Sequence, residues 1–325
     1  MKFMLEHRLA KLAAAATFVL LVIGGTVNPT GSSLACPEPT LVCHGQLFPP
    51  MVGGVFYEHG HRLAAMTVGL LQIALTSLLF RRRDRHPGSG KLAWILLGLV
   101  IAQGALGAIT VKYKLPWFIS TAHLLLGMSY FATLIYTAFR TRPAPSVVEL
   151  QRHDKLRAEL GSTRTWIAIA CSAVFVQLLF GALVRHLGAA MVCLGMPSCT
   201  VGGDWWPESG VQHLHMIHRG FGVVVAIVTT ISAVMIVRRA RSWQQLRLVA
   251  LLAPLVVAGQ VVLGIMTVLS MRYVPLAVGH FAGAATLWAM WMGMWLMTAP
   301  RSAGAAIELD VPRARAFRRD EAVAS

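Results

Sequence analysis

Acidic residues are what this sequence has least of. Thirteen Asp and Glu stand against 29 Lys and Arg, and charged residues of both signs make up only 13% of the 325 positions. Apolar residues fill 56% of the chain and the mean hydropathy is +0.63. So little charge on a chain this long excludes an ordinary soluble globular protein and points to a polytopic membrane protein. Cysteine is also sparse, with five in all, which excludes a disulfide-dense secreted scaffold.

The apolar residues are gathered into runs of the length that crosses a bilayer, about 20 residues. They fall near 9–28, 55–80, 92–111, 117–139, 165–186, 214–237, 248–270 and 276–298. The first run is longer than a signal-peptide core, and "SSLAC" lacks the apolar residue expected three before a lipoprotein cysteine, so it reads as a retained first helix. The excess of positive charge is unevenly spread. Of the Lys and Arg outside the spans, 23 fall in both termini and alternate loops, and only Lys112, Lys114, Arg185 and Arg272 fall in the others. The positive-inside rule then predicts a cell (inner) membrane protein with both termini cytoplasmic. The basic charge is topology with some anionic-lipid contact, not a nucleic-acid footprint.

This orientation sends residues 29–54 and 187–212 outside, carrying Cys36, Cys43, Cys193 and Cys199. The predicted pairs are Cys36–Cys43 and Cys193–Cys199, with free thiols or a metal site as the alternative. Cys171 lies inside a span as a small buried apolar residue.

Shifting the sequence by 157 positions superimposes its polar landmarks. Cys36 falls on Cys193, His61 on His218, Arg62 on Arg219 and His123 on His280, while "QGALGAITV" overlays "QVVLGIMTV" and Gly24 falls on Gly181. An internal repeat of four helices keeps both halves in one orientation, because four is even. The expected fold is therefore an all-α integral membrane protein of eight transmembrane helices, arranged as two parallel-repeat four-helix bundles. The boundaries are 1–140 for the first half, 141–164 for a basic cytoplasmic linker, 165–300 for the second half and 301–325 for a basic cytoplasmic tail.

His61 and His123 lie on the second and fourth helices of the first half, both roughly 9–12 Å inside the outer surface at about 1.5 Å per residue. His218 and His280 repeat the arrangement. Two imidazoles at one depth across a four-helix bundle are the geometry of axial haem ligation. Zinc fits poorly, since no third or fourth ligand recurs in both halves. Arg62 and Arg219, each directly after a ligand candidate, suit the carboxylates of a haem turned toward the outer face; snorkelling to the interface is the other reading.

The halves differ at one position near the ligands. Glu58 stands three residues before His61, and its counterpart is His215. A poorly solvated carboxylate there can exchange protons near neutrality, or it can pair with Arg62 at i, i+4. His59 points away from both neighbours and is expected to face a loop or the lipid interface. No function is assigned to it or to His7, His44, His86, His153, His186 and His213.

The pattern Glu-x-x-His-Arg at 58–62, His123, His-x-x-His-Arg at 215–219 and His280, with outer Cys pairs and "GALVRHLGAAMVCLGMPSC", resembles the haem A synthase family over residues 9–298. The resemblance implies an oxidoreductase that oxidises the C8 methyl of haem O to a formyl group in two steps, through a hydroxymethyl intermediate. It implies haem b as cofactor on His218 and His280, and haem O as substrate between His61 and His123 with Arg62. Glu58 matches the family's functionally important carboxylate, and Arg219 is the matching propionate contact. The implied partners are membrane lipid, the haem O-producing enzyme and terminal oxidase assembly factors, with a homo-oligomer compatible. The chain departs from the family pattern in "TVNPTGSSLACPEP", with Asn28 in place of an expected Arg and no Trp after Cys36. A membrane di-haem electron-transfer protein would use the same four histidines, and a haem-binding transporter is a third reading.

Overall fold

The computed structural model describes residues 5–84, 88–143 and 145–300; the predicted basic tail at 301–325 and His86 lie outside these. Among the described residues the chain is all-helical: α1 (Leu5–Val27), α2 (Gly53–Arg81), α3 (Ser89–Lys112), α4 (Trp117–Arg140), α5 (Val147–Leu160), α6 (Thr163–His186), α7 (Gly210–Arg239), α8 (Gln244–Leu269) and α9 (Val274–Met297). Eight of these helices, all but α5, are long and apolar enough to cross a membrane. They run from 23 to 30 residues, or about 35–45 Å at 1.5 Å per residue, against a hydrocarbon core of about 30 Å. This is a multi-pass membrane protein.

The helices contact one another in two closed rings. In one, α1 packs on α2, α2 on α3, α3 on α4 and α4 back on α1; in the other, α6 to α9 repeat that order. The seam between the rings is made by α1 and α4 against α6 and α9. Its core joins Met128 and Phe131 of α4 to Trp288 and Trp291 of α9. Trp288 spends its indole N–H on the Met128 carbonyl, 3.1 Å away, so this large ring buries no unpaired donor.

The turns that close the rings also match. Lys114 and Leu115 after α3 have φ of 55° and 66°, and Met271 and Arg272 after α8 have 53° and 67°. Left-handed backbone costs a non-glycine residue roughly 1–2 kcal/mol. The same strained pair at positions 157 apart holds the same sharp reversal between adjacent helices.

One element differs from the sequence expectation. The 141–164 segment, expected as a plain basic linker, contains the helix α5. Ser146 and Glu149 form a reciprocal capping box at its start, an interaction of about 1 kcal/mol. His153, Leu156 and Leu160 then share one buried face. His153 Nε2 donates to the Met297 carbonyl at 3.1 Å, and Arg152 reaches the Ser242 carbonyl at 2.7 Å. The start signal is in the sequence; the surrounding charge hides it.

Candidate haem-binding site

Each of the four histidines lies against a glycine of the neighbouring helix. A β-carbon built on Gly24 of α1 would stand 2.7 Å from Cε1 of His61 on α2, and one on Gly107 of α3 would stand 3.2 Å from Cε1 of His123 on α4. In the other ring the same distances are 3.3 Å for Gly181 on α6 against His218 on α7 and 3.2 Å for Gly264 on α8 against His280 on α9. All are inside ordinary carbon–carbon contact, about 3.5–4.0 Å. A side chain on Gly24 would force the His61 ring to move, while one on Gly107, Gly181 or Gly264 would press the facing imidazole by a few tenths of an ångström. The sequence shows these glycines as repeat-matched pairs; what they face is visible only in the structure.

Polar contacts set the rings' orientation. His280 Nδ1 lies 3.0 Å from the Gln260 carbonyl oxygen. A carbonyl only accepts, so Nδ1 carries the proton and, in the neutral ring, Nε2 keeps a free lone pair, as metal-ligating histidines do. Gln177 Nε2 donates to the His218 carbonyl at 3.0 Å and lies 3.2 Å from its Nδ1. Gln103 Nε2 donates to the His123 carbonyl at 2.9 Å. Nδ1 of His61 and of His123 is buried with no hydrogen-bond partner among the described residues.

The His218 and His280 rings are 6.4 Å apart between centroids and nearly perpendicular, at 85°. A metal bonded to one nitrogen of each ring at about 2.0–2.1 Å separates the centroids by about 6.4 Å. The two rings border a cavity of 740 Å³ lined mainly by apolar side chains such as Val174, Val257, Ile265 and Leu287. That volume suits a cofactor, since such sites run from about 300 to 1,000 Å³. Paired imidazoles, one with its tautomer set by the Gln260 carbonyl, glycine cradles and an apolar slot between facing helices fit a planar iron tetrapyrrole.

Residues 52–292 match the family model COX15-CtaA, described as cytochrome oxidase assembly protein. The chain belongs to this family. It is 28% identical over 269 residues to the protein named haem A synthase from Shouchella clausii (strain KSM-K16), covering 81% of this chain and 86% of that one. A haem A synthase from Symbiobacterium thermophilum is 28% identical over 260 residues, 79% of this chain and 84% of its own. Another, from Bacillus pumilus, is 25% identical over 285 residues, with coverage of 85% and 90%.

Arg62 and Arg219, 157 positions apart, occupy equivalent places in the two halves and do the same structural work. Arg62 donates to the carbonyls of Cys36 (3.1 Å), Glu38 (2.6 Å), Thr40 (2.5 Å) and Val42 (3.1 Å). Arg219 donates to those of Cys193 (2.7 Å), Gly195 (2.9 Å) and Ser198 (3.0 Å). Each guanidinium thus gathers the carbonyls of one small loop, closed by Cys36–Cys43 or Cys193–Cys199. Five fixed donors on one planar group make arginine the side chain for this task.

Glu58 is 4% exposed. One oxygen pairs with Arg62 at 2.6 Å and the other accepts the Cys36 N–H at 2.9 Å. The i, i+4 pair foreseen in the sequence is therefore present, and the carboxylate also holds the disulfide loop on the helix. His215, its counterpart, is equally buried, with Nδ1 unpartnered among the described residues. His59 proves to be loop-facing rather than at a lipid interface: it is fully buried against the Cys36–Cys43 bridge and bonds the Leu47 carbonyl at 3.1 Å. The 29–52 segment folds back over the start of α2, which periodicity on α2 alone does not reveal.

In that loop Glu38 accepts N–H bonds from His44 (3.0 Å) and Gly45 (2.9 Å). Desolvation, the largest single cause, pulls its pKa up. The bonds from its own N–H, Gly45 and His44, with the charge of His44, outweigh this and hold the carboxyl below its usual range.

Two residues without an assigned role stand at the seam. His186 Nδ1 is 3.2 Å from Thr121 Oγ1 of α4. Arg185, just before it on α6, crosses to α1 and donates to the carbonyls of Gly24 (3.4 Å) and Gly25 (3.2 Å). Neither has a repeat-matched equivalent of its own type, so a search for matched landmarks passes them by.

Proposed function

We propose that this protein is a haem A synthase, an integral-membrane oxidoreductase that converts haem O to haem A. The observation that carries the reading is the His218–His280 pair, spaced for a single iron across an apolar cavity, in a chain of this family. The second half would hold haem b on His218 and His280, and the first half would take haem O between His61 and His123. The C8 methyl would gain one oxygen atom, from water or dioxygen, to become hydroxymethyl, and would then lose two hydrogens to become formyl. Each is a two-electron oxidation whose electrons and protons pass to an acceptor outside this chain, such as dioxygen. Haem b, when bound, supplies one-electron redox chemistry. The protein's own groups do the rest. His280 presents Nε2 because Gln260 holds the proton on Nδ1. The glycines fix the ring planes, and the apolar walls exclude water. Glu58 is the one carboxylate on the His61 face of α2, and we assign it to holding or moving a proton at an oxygen now engaged by Arg62 or Cys36. A Glu58→Gln variant with full formyl production would remove that role.

The distribution of Lys and Arg, 23 against four, supports cytoplasmic termini in an inner membrane, with the histidines in the outer half of the bilayer. Haem O made by an upstream membrane enzyme and a terminal oxidase awaiting haem A are the implied neighbours.

The deciding experiment is pigment extraction from protein purified after co-expression with a source of haem O, with chromatography and mass analysis of each haem. Haem b accompanied by haem O, its hydroxylated form or haem A is the expected result. Two equivalents of haem b and no oxidised product would instead make the protein a di-haem electron carrier.

A further inference from the structure

The 740 Å³ cavity beside His218 and His280 is lined by three cationic residues, Arg185, Arg219 and Arg272, and by no Asp or Glu. Arg219 spends its donors on loop carbonyls. The other two are differently placed. Arg185 reaches two α1 carbonyls through one terminal nitrogen, and its Nε is buried with no partner among the described residues. Arg272 sits on the strained turn between α8 and α9, with its backbone N–H on the Thr267 carbonyl. Its side chain forms no hydrogen bond or ion pair among the described residues. Arg185 also feels the like charge of Arg272. Two guanidiniums facing one cavity with no anion between them are costly so near the membrane interior, where charge is retained when it has a partner.

The first half has no such pair. The positions matched to Arg185 and Arg272 by the shift of 157 are Asn28 and Leu115. The turn holding Leu115 has the same backbone as the turn holding Arg272, so the frame is conserved between the halves and the cation is not. Both arginines lie toward the end of the bundle that carries the disulfide loops, since α6 ends and α9 begins there. A planar dicarboxylate held by iron between the histidines would turn its two acid groups toward that end.

We propose that Arg185 and Arg272 are the carboxylate clamp of the second-half site, each holding one propionate of the resident tetrapyrrole, and that this clamp makes its occupant permanent. Arg219 organises the Cys193–Cys199 loop above it. The first half, with Asn28 and Leu115 in those places, lacks the clamp and releases its tetrapyrrole readily. Because Arg185 also bonds the carbonyl of Gly24, the residue under His61, the clamp lies where the two sites meet. The proposal rests on the reading of His218 and His280 as haem ligands.

The test uses the full-length protein in detergent. Its haem content and visible spectrum are recorded for the wild type, Arg185→Gln, Arg272→Gln, the double Gln variant and the double Lys variant. Haem loss to an excess of a haem-scavenging apoprotein is then timed, and reloading is repeated with iron protoporphyrin and with its dimethyl ester. The expected double Gln variant keeps the bis-histidine spectrum but loses haem at least tenfold faster, and the double Lys variant recovers much of the retention. The wild type holds the free acid far longer than the ester, and the double Gln variant treats them alike. Equal retention by the wild type and the double Gln variant would overturn the proposal. So would equal retention of acid and ester by the wild type, which would leave the arginines for another anion such as a lipid phosphate. A wild type that binds no haem with a bis-histidine spectrum would instead sink the reading of the site itself.

Discussion

Around His218 and His280 the helices enclose an apolar cavity with arginines at its rim. Around His61 and His123 the same helical order carries polar groups on either side of the histidines. Above them Glu58 is bound to Arg62 and Cys36. Below them Tyr130 donates to Gln72 Oε1 at 2.8 Å, and Gln72 Nε2 donates to Thr76 at 2.8 Å, all three buried. The second half has Leu287, Thr229 and Ala233 at the matched positions. One half is thus apolar and cationic, suited to keeping a cofactor, and the other is polar and carries a carboxylate, suited to reaction. On the proposed reading, the shared elements, the glycine cradles and arginine-bound loops, would define where a tetrapyrrole sits. The unshared ones would then define what happens to it.

The largest effect that would break this comparison comes from the ligands. His218→Ala or His280→Ala is expected to abolish bound haem b, read as loss of the bis-histidine absorption in purified protein. His61→Ala or His123→Ala is expected to leave that absorption in place while formyl production falls below detection. If the first-half variants lost the resident haem instead, the division of labour between the halves would be wrong.

The glycine cradles come next. Gly24→Ala and Gly181→Ala insert the same methyl beside matched histidines, but the built contact is 2.7 Å in one and 3.3 Å in the other. Overpacking of this kind costs about 1–3 kcal/mol. Gly24→Ala should therefore shift the His61 ring and reduce product formation severalfold, with haem b content unchanged. Gly181→Ala should broaden the haem b spectrum slightly at most.

The buried polar cluster separates the halves more quietly. Tyr130→Phe leaves Gln72 Oε1 buried without its donor, a loss of about 1–3 kcal/mol. Thr229 Oγ1, at the position matching Gln72, already has no partner among the described residues. Thr229→Val removes that unpaired hydroxyl and should leave thermal stability unchanged or raised. Thermal unfolding of the two variants in one detergent checks both signs together.

Much of this contrast was legible from spacing. The shift of 157 aligns all four histidines, Arg62 with Arg219 and the first cysteine of each pair, because such residues are rare in apolar runs and cannot recur by chance. What it could not find were features defined by a neighbour or by a difference. Gly24 and Gly107 look like ordinary small residues until an imidazole is placed against them. Arg185 and Arg272 look like topology charges, and a search for matched residues sets aside the very positions where the halves diverge. Arg62 and Arg219 were legible as a pair, yet the carbonyls they gather come from loops whose path no helical period predicts. α5 was hidden differently: its Ser146–Glu149 cap is a readable start, but its buried face is only three residues, His153, Leu156 and Leu160, among many charges.

The smallest expected effect lies in the loops. Glu38 ties together the Cys36–Cys43 loop through the N–H groups of His44 and Gly45. The other loop uses a neutral-to-acid contact instead, Thr200 Oγ1 to Asp204 at 3.0 Å. The folded pKa of Glu38 is lowered, so its contribution is fully present above the unfolded carboxylate value, about 4.3. It is lost as pH falls through the lower folded value. The group is open to solvent, which screens the effect and keeps it local. Hydrogen exchange of the His44 and Gly45 amides should therefore stay slow from pH 7 to 5 and gain extra opening below about pH 4, after correction for intrinsic exchange. Glu38→Gln should show the opened behaviour at every pH. A Glu38→Gln loop as protected as the wild type at pH 7 would mean that Arg62 and the disulfide hold the first loop unaided, as Arg219 and its disulfide would then hold the second.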